Sequence, residues 1–73
     1  MKALLHTKQI HALEENTYSR LSIRSIDHLY YLLITIKNAA HVFVNRNGKR
    51  VEYQHDWQIK DWLLEKFDIE LID

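Results

Sequence analysis

The chain has 73 residues, of which 47% are apolar and 27% are charged, with one glycine, no proline and no cysteine. This length predicts a single domain spanning residues 1–73 with one small core, and the balanced composition argues against intrinsic disorder. The lack of cysteine excludes a disulfide framework and thiolate chemistry, as is typical of a protein of the reducing cytosol.

The formal net charge of zero conceals a division along the chain. Residues 1–50 carry eight Lys/Arg against three Asp/Glu, whereas residues 51–73 carry two against seven. Such a division has two interpretations: the two parts fold against each other, or a basic face is available to a partner.

Nothing in the sequence predicts a membrane segment. The longest apolar run, from Leu29 to Ile36, is interrupted by Thr35 and is much shorter than the ~20 residues that span a bilayer. The N-terminus has no signal-peptide core, because polar residues such as His6 and Lys8 interrupt it. We therefore expect a cytoplasmic protein with no membrane partner.

The first predicted elements are a helix and two strands. Leu5, Ile10 and Leu13 share one side of a helix over residues 3–15, and Thr7 is an alternative N-cap that would shorten it. Residues 18–25 then alternate between apolar and polar positions, which predicts a half-buried strand. Residues 30–37 predict a central strand because both of their faces carry apolar side chains.

Asn47-Gly48 between two β-type runs predicts a hairpin, with arms near residues 41–46 and 49–54. A two-residue type I′ turn places Val44 opposite Val51 and Val42 opposite Tyr53. Phe43 then points to the other face of the sheet, together with Asn45, Arg50 and Glu52.

The C-terminal part predicts a helix over residues 57–67, capped by Asp56, and a short strand over residues 69–72. Five apolar residues gather on one side of this helix: Trp57, Ile59, Leu63, Leu64 and Phe67. The order α-β-β-β-β-α-β predicts an α+β fold, in which a four-stranded antiparallel meander carries two helices on one face and a short C-terminal strand.

Several of these positions carry a family resemblance: Leu21-Ser22-Ile23-Arg24-Ser25, Tyr31-Leu32, Asn47-Gly48-Lys49, Tyr53, Ile59, Leu63 and Ile69-Glu70-Leu71-Ile72. In these the chain resembles a gammaproteobacterial domain-of-unknown-function family of small bacterial proteins. One departure is Phe67-Asp68, where the resemblance implies a glycine between the last helix and strand. The resemblance implies the fold and a bacterial cytosolic setting, and it brings no active-site residues.

The histidines are the only candidates for a metal site. His6 and His11 are five residues apart, which does not align two ligands on one helical face, and His28, His41 and His55 lie near predicted strand ends. We interpret the five as ordinary surface histidines and predict no metal site, with a transition-metal site where strand ends converge as the alternative.

No catalytic constellation is recognisable. None of the candidate nucleophiles Ser19, Ser22 and Ser25 lies on a glycine-flanked elbow, and phosphate-binding loops need glycines that the chain lacks. We predict that the protein is not an enzyme, has no catalytic residues and needs no cofactor.

The candidate binding residues lie on surfaces. If both helices cover the sheet face that contains Leu21, Leu32 and Val44, the open face shows Arg20, Arg24, Tyr31, Leu33, Phe43 and Arg50. Tyrosine, phenylalanine, leucine and arginine together are typical of interface cores, and an exposed Trp62 on the second helix is a further anchor candidate. This predicts a non-enzymatic protein-interaction module that self-associates or binds a protein partner.

The alternative is a weak single-stranded nucleic-acid binder. Tyr31 and Phe43 would then stack on bases between arginines, and the hairpin tip would add Arg46 and Lys49 as phosphate contacts.

Overall fold

The structure is a computed structural model that describes residues 5–71. Its elements are α1 (His6–Glu15), β1 (Arg20–Ile26), β2 (Leu29–Ile36), β3 (Ala39–Val42) and α2 (Asp56–Phe67). The strands form one antiparallel sheet in the order β1-β2-β3. Residues 5–71 therefore form an α+β fold with three strands, and the predicted four-stranded meander is wrong. Residues 69–71 form no strand, so the predicted C-terminal strand is also wrong, although Ile72 lies outside the described residues.

The segment predicted as a fourth strand returns to β2 at a single position. β3 pairs Val42 with Leu33, and this register, if continued, would bring Asn45 opposite Tyr30. Tyr53 occupies that place instead, and it exchanges both main-chain hydrogen bonds with Tyr30 at 2.8 Å. Residues 44–52 therefore form a loop that leaves the sheet edge after β3. They include no second hairpin arm that pairs along β3.

Both connections inside the sheet are two-residue turns with positive φ. Asp27 and His28 join β1 to β2 with φ of 51° and 67°, and Lys37 and Asn38 join β2 to β3 with φ of 51° and 68°. Positive φ at both central residues defines a type I′ turn, whose twist matches that of the flanking strands.

The predicted type I′ turn at Asn47-Gly48 is wrong, because of these two residues only Gly48 has positive φ, at 82°. The side-chain oxygen of Asn45 instead accepts the main-chain N–H groups of Asn47 at 2.8 Å and Lys49 at 3.1 Å. Gly48 donates its N–H to the carbonyl of Asn45 at 2.9 Å and so closes a longer turn.

This longer turn changes the register of the hairpin by one residue. Val44 pairs with Arg50, whereas the sequence predicted Val51, and Val42 does not face Tyr53. A shift of one residue exchanges the two faces of a strand, because side chains alternate with a period of two. Phe43, whose N–H donates to the carbonyl of Leu32 on β2 at 2.8 Å, lies on the same face as Leu32 and points toward the helices.

Both helices pack on the same face of the sheet. Leu13 of α1 and Ile59 and Leu63 of α2 belong to one core cluster with alternate residues of β2. The buried members of this cluster are Leu13, Leu32, Ile34, Phe43, Ile59, Leu63 and Ile69. The other face of the sheet therefore carries neither of the helices that residues 5–71 form.

The helix ends differ in detail from the predictions. α1 begins at His6 after Leu5, so Thr7 lies inside the helix and is not its N-cap. His55, rather than Asp56, precedes α2, and its N–H donates to the side-chain oxygen of Gln58 at 3.0 Å. Asp68 ends α2 in the left-handed conformation with φ 56°, which is the position where the family resemblance implied glycine.

α2 is rotated from the orientation that its apolar pattern predicted. Trp57 and Leu64 were expected on the core side, but they are 55% and 48% exposed. Trp57 stacks instead on His55, with ring centroids 5.7 Å apart.

Candidate functional site

The candidate site is the sheet face without helices, which we call the outer face. Strand alternation and the observed register place ten residues on it: Arg20, Ser22, Arg24, Ile26, Leu29, Tyr31, Leu33, Thr35, Ala40 and Val42. None of them belongs to the core cluster or to the apolar residues packed against it.

Apolar side chains form the middle of the outer face. Leu33 lies on the central strand between Ser22 of β1 and Val42 of β3, and Leu33 and Val42 are half-buried. Ile26 pairs with Leu29 at the end of the β1–β2 hairpin and is 45% exposed. An apolar strip therefore runs along β2 with no helix above it.

Arginines surround the ring of Tyr31 on this face. Arg24 lies opposite Tyr31 on β1, and Cζ of Arg50 lies 5.0 Å from the Tyr31 ring centroid, a cation–π distance. Nη2 and Nε of Arg50 donate to Oε2 of Glu52 at 2.6 and 3.1 Å. These contacts are solvent-exposed, so each contributes about 1 kcal/mol or less, and they orient Arg50 over Tyr31.

Two predicted site residues lie on the opposite side of the sheet. Phe43 was expected on the open face, but it is 3% exposed, with its ring centroid 5.2 Å from that of Trp62 and 5.5 Å from that of His6. Trp62 was expected to be exposed, but it packs against the core, with the ring of Phe67 edge-on at 5.2 Å. The pairing of Phe43 with Leu32 explains the position of Phe43, and Phe43 and Phe67 together cover Trp62.

The structure therefore divides the predicted set of binding residues. It brings together Arg20, Arg24, Tyr31, Leu33 and Arg50 on the outer face. Arg46 and Lys49 are exposed on the turn that follows Val44.

Gln9 is a buried polar residue that the sequence did not single out. It has no exposed surface, its Nε2 donates to the carbonyl of Val42 at 2.8 Å, and its Oε1 accepts the N–H of Val44 at 2.9 Å. His6 Nδ1 lies 2.7 Å from the carbonyl oxygen of Val44, which can only accept, so His6 donates. The sequence signal was a glutamine one turn before Ala12 and Leu13 on the apolar side of α1.

A groove of about 500 Å³ lies apart from the outer face, between α1 and the end of β2. Its lining residues are Thr7, Lys8, His11, Ala12, Thr17 and Ile36. The volume is within the range of small-molecule pockets, but no buried polar side chain of the lining points to a specific ligand.

Within residues 5–71, no group of three or more His, Asp or Glu side chains could hold a metal ion. In the same part of the chain, no helix is long and apolar enough to cross a bilayer.

Burial raises the pKa of the Tyr53 phenol above its ordinary value of 10.0. Tyr53 packs against the core at the point where the chain rejoins β2, so its ring is partly removed from water.

No protein-family model, no curated protein and no solved structure matches this chain. The predicted family resemblance therefore stays a prediction.

Proposed function

We propose that the protein is a non-enzymatic protein-interaction module that acts through the outer face, with a second copy of the chain as its partner. The observation that carries the proposal is the uncovered apolar strip of Ile26, Leu29, Tyr31, Leu33 and Val42. Apolar sheet faces without a covering layer are typical of interfaces, and tyrosine and arginine are enriched there.

The size of the face limits the affinity. Three strands about 4.8 Å apart and eight residues of about 3.3 Å each give a face of roughly 350 Å². A standard interface buries about 800 Å² on each partner, so this face predicts a transient complex with a dissociation constant between micromolar and millimolar.

A face-to-face dimer can keep the arginines of β1 away from their own counterparts. If the twofold axis runs parallel to the strands, β1 of one copy lies over β3 of the other, since β2 is central in both sheets. Arg20 then lies over Ala40 of the second copy, and Arg24 lies beyond Val42, at the level of Tyr31 and Arg50. Leu33 lies near the axis and contacts its own counterpart.

Single-stranded nucleic-acid binding has less support. Phe43 is buried, so only one aromatic ring, that of Tyr31, remains on the outer face. Arg50 covers one side of that ring and is paired with Glu52, which repels phosphate. A stacking platform needs open aromatic faces, and this arrangement supplies one at most.

Sedimentation velocity tests the proposal and separates it from the alternative. We expect the mean mass to rise toward a dimer between ~20 μM and ~1 mM protein, with little change between ~50 and ~200 mM salt. The variant Leu33→Glu should stay monomeric, because it would bury an uncompensated charge at the interface. Leu64→Glu is the matched control, since Leu64 is exposed on α2.

Two results would argue against the proposal. A monomer at ~1 mM would exclude self-association, and a dimer that tolerates Leu33→Glu would place the interface elsewhere. Salt-sensitive binding of a mixed-sequence oligonucleotide would instead favour the nucleic-acid alternative.

A further inference from the structure

The two edges of the sheet differ in whether other residues bond their outward-pointing main-chain groups. At the β3 edge, Gln9 and His6 of α1 bond the outward-pointing main-chain groups of Val42 and Val44. Their side chains stand where a neighbouring strand would otherwise pair. An uncovered strand edge is a template for pairing with another chain, and covering it removes that template.

The Tyr30–Tyr53 pair shows which residues of β1 point their main-chain N–H and C=O groups away from β2. Tyr30 bonds Tyr53 on the β3 side of β2, so the next residue, Tyr31, turns its main-chain groups toward β1. Arg24, the partner of Tyr31, therefore directs its N–H and C=O inward to β2. The same alternation directs every second residue of β1 outward.

The outward-pointing main-chain groups of β1 belong to Leu21, Ile23 and Ser25. Among residues 5–71, no main-chain or side-chain group forms a hydrogen bond with them. β1 is seven residues long and contains no proline to interrupt pairing. Within residues 5–71 it is an open edge, whereas α1 covers the other edge at the carbonyl of Val42 and at Val44.

The charges beside this edge indicate what could occupy it. Arg20 and Arg24 are exposed on the outer face, about 13 Å apart at four residues of 3.3 Å each. β1 has no acidic residue, and neither arginine forms an ion pair with another described residue. A second copy paired antiparallel about Ser22 would bring Arg20 against Arg24 of that copy, so the charges oppose this self-pairing.

We propose that the open edge of β1 binds an extended acidic segment of another protein, which adds a fourth strand to the sheet. Its main chain would bond the N–H and C=O groups of Leu21, Ile23 and Ser25. Its alternate acidic side chains would contact Arg20 and Arg24 on the outer face, and its apolar side chains would lie beside Leu21 and Ile23. This proposal concerns the sheet edge, whereas the proposed self-association uses the apolar strip of the outer face; Arg20 and Arg24 border both.

The test uses a defined probe, an end-blocked eight-residue peptide of alternating glutamate and valine. It is titrated into the full chain at ~20 μM, the low end of the range over which the outer-face dimer is expected to form. In the free protein, we expect the amides of Leu21, Ile23 and Ser25 to exchange with solvent faster than those of Ser22 and Arg24. The peptide should shift these three amides and slow their exchange.

Two peptides and one variant serve as controls. A glutamate–valine peptide methylated on the valine nitrogens has lost the N–H groups that would bond Leu21, Ile23 and Ser25, and it should not bind in the proposed register. The double variant Arg20→Glu/Arg24→Glu should bind the original peptide roughly tenfold more weakly, since two exposed ion pairs are lost and two repulsions gained. The same variant should gain affinity for a lysine–valine peptide, which shows that it is still folded.

Binding that requires the free main-chain N–H groups and follows the charge reversal would support the proposal. Three results would overturn it: no change at the three amides with peptide at ~5 mM, equal binding of the methylated peptide, or affinity unaffected by charge reversal. Protection of Leu21, Ile23 and Ser25 in the free protein would also overturn it, since the edge would already be occupied.

Discussion

The side-chain oxygen of Gln9 accepts the main-chain N–H of Val44 at 2.9 Å, and this buried contact holds the chain where it leaves the sheet. The amide nitrogen of the same side chain donates to the carbonyl of Val42. One glutamine on α1 thus bonds main-chain groups two residues apart, as a neighbouring strand would. It covers the end of the β3 edge and joins α1 to the segment that leaves the sheet at Val44.

Gln9→Leu should lower the free energy of unfolding by about 2–4 kcal/mol, because it leaves the buried groups of Val42 and Val44 without partners. Gln54→Leu is the control: Gln54 is exposed, so its substitution should change stability by about 0.5 kcal/mol or less. Urea unfolding monitored by circular dichroism measures both. Equal effects of the two substitutions would contradict the bridging role of Gln9.

Phe43→Ala should lower the free energy of unfolding by about 3–5 kcal/mol, because a buried ring against Trp62 is replaced by a cavity. Tyr31→Ala should cost roughly 1 kcal/mol, since its ring is half-buried on the outer face. Chemical denaturation distinguishes the two substitutions. A cost for Phe43→Ala no greater than that for Tyr31→Ala would mean that the hairpin has the register expected from the sequence.

Lys37→Gly should raise the free energy of unfolding by roughly 0.5–1 kcal/mol. Lys37 has φ of 51°, and this left-handed conformation costs a residue with a Cβ about 1–2 kcal/mol. Glycine avoids that cost, but it loses more conformational entropy on folding, so the net gain in stability is smaller. Lys49→Gly is the control, because Lys49 is exposed without positive φ and glycine there should destabilise. If both substitutions lowered the melting temperature alike, the type I′ turn at Lys37 would be wrong.

Stability should fall at alkaline pH through Tyr53. The pKa of its phenol is raised by burial in the folded protein, so the folded state keeps the proton after the unfolded state begins to lose it near pH 10.0. The contribution of Tyr53 is complete below this pH and is lost as the pH rises toward the folded-state pKa. Urea unfolding between pH 9 and 11 should show a shallower decline for Tyr53→Phe than for the wild type, and parallel declines would contradict the assignment.

The local elements could be predicted because their signals are local. The alternation around Leu21 and Ile23 predicted a strand over residues 18–25, close to the observed β1 (Arg20–Ile26). The apolar spacing that includes Ile59 and Leu63 predicted a helix over residues 57–67, within one residue of α2. Apolar repeats of two and 3.6 residues predict strands and helices correctly here because each repeat depends only on residues close together in the sequence.

The register of the hairpin could not be predicted from Asn47-Gly48 alone. Asn45 competes by accepting the N–H groups of Asn47 and Lys49, and this lengthens the turn. The face of Phe43 depends instead on the pairing of Val42 with Leu33, which no local pattern contains. The misplacement of Phe43 is the most consequential error in the predicted binding surface.

The burial of Gln9 also could not be predicted from the sequence. Periodicity assigns polar residues to solvent, whereas Gln9 is buried because Val42 and Val44 need hydrogen-bond partners. Such a role follows only from the position where β3 ends.

The most direct test of the proposed function is the concentration dependence of the amide resonances, measured by NMR between ~50 μM and ~1 mM protein. If the outer face binds a second copy, the amides of Leu33, Tyr31 and Val42 should shift together along one binding curve, while that of Leu64 on α2 stays constant. Resonances of the outer face that do not change over this range, or shifts centred on Leu64, would contradict the account.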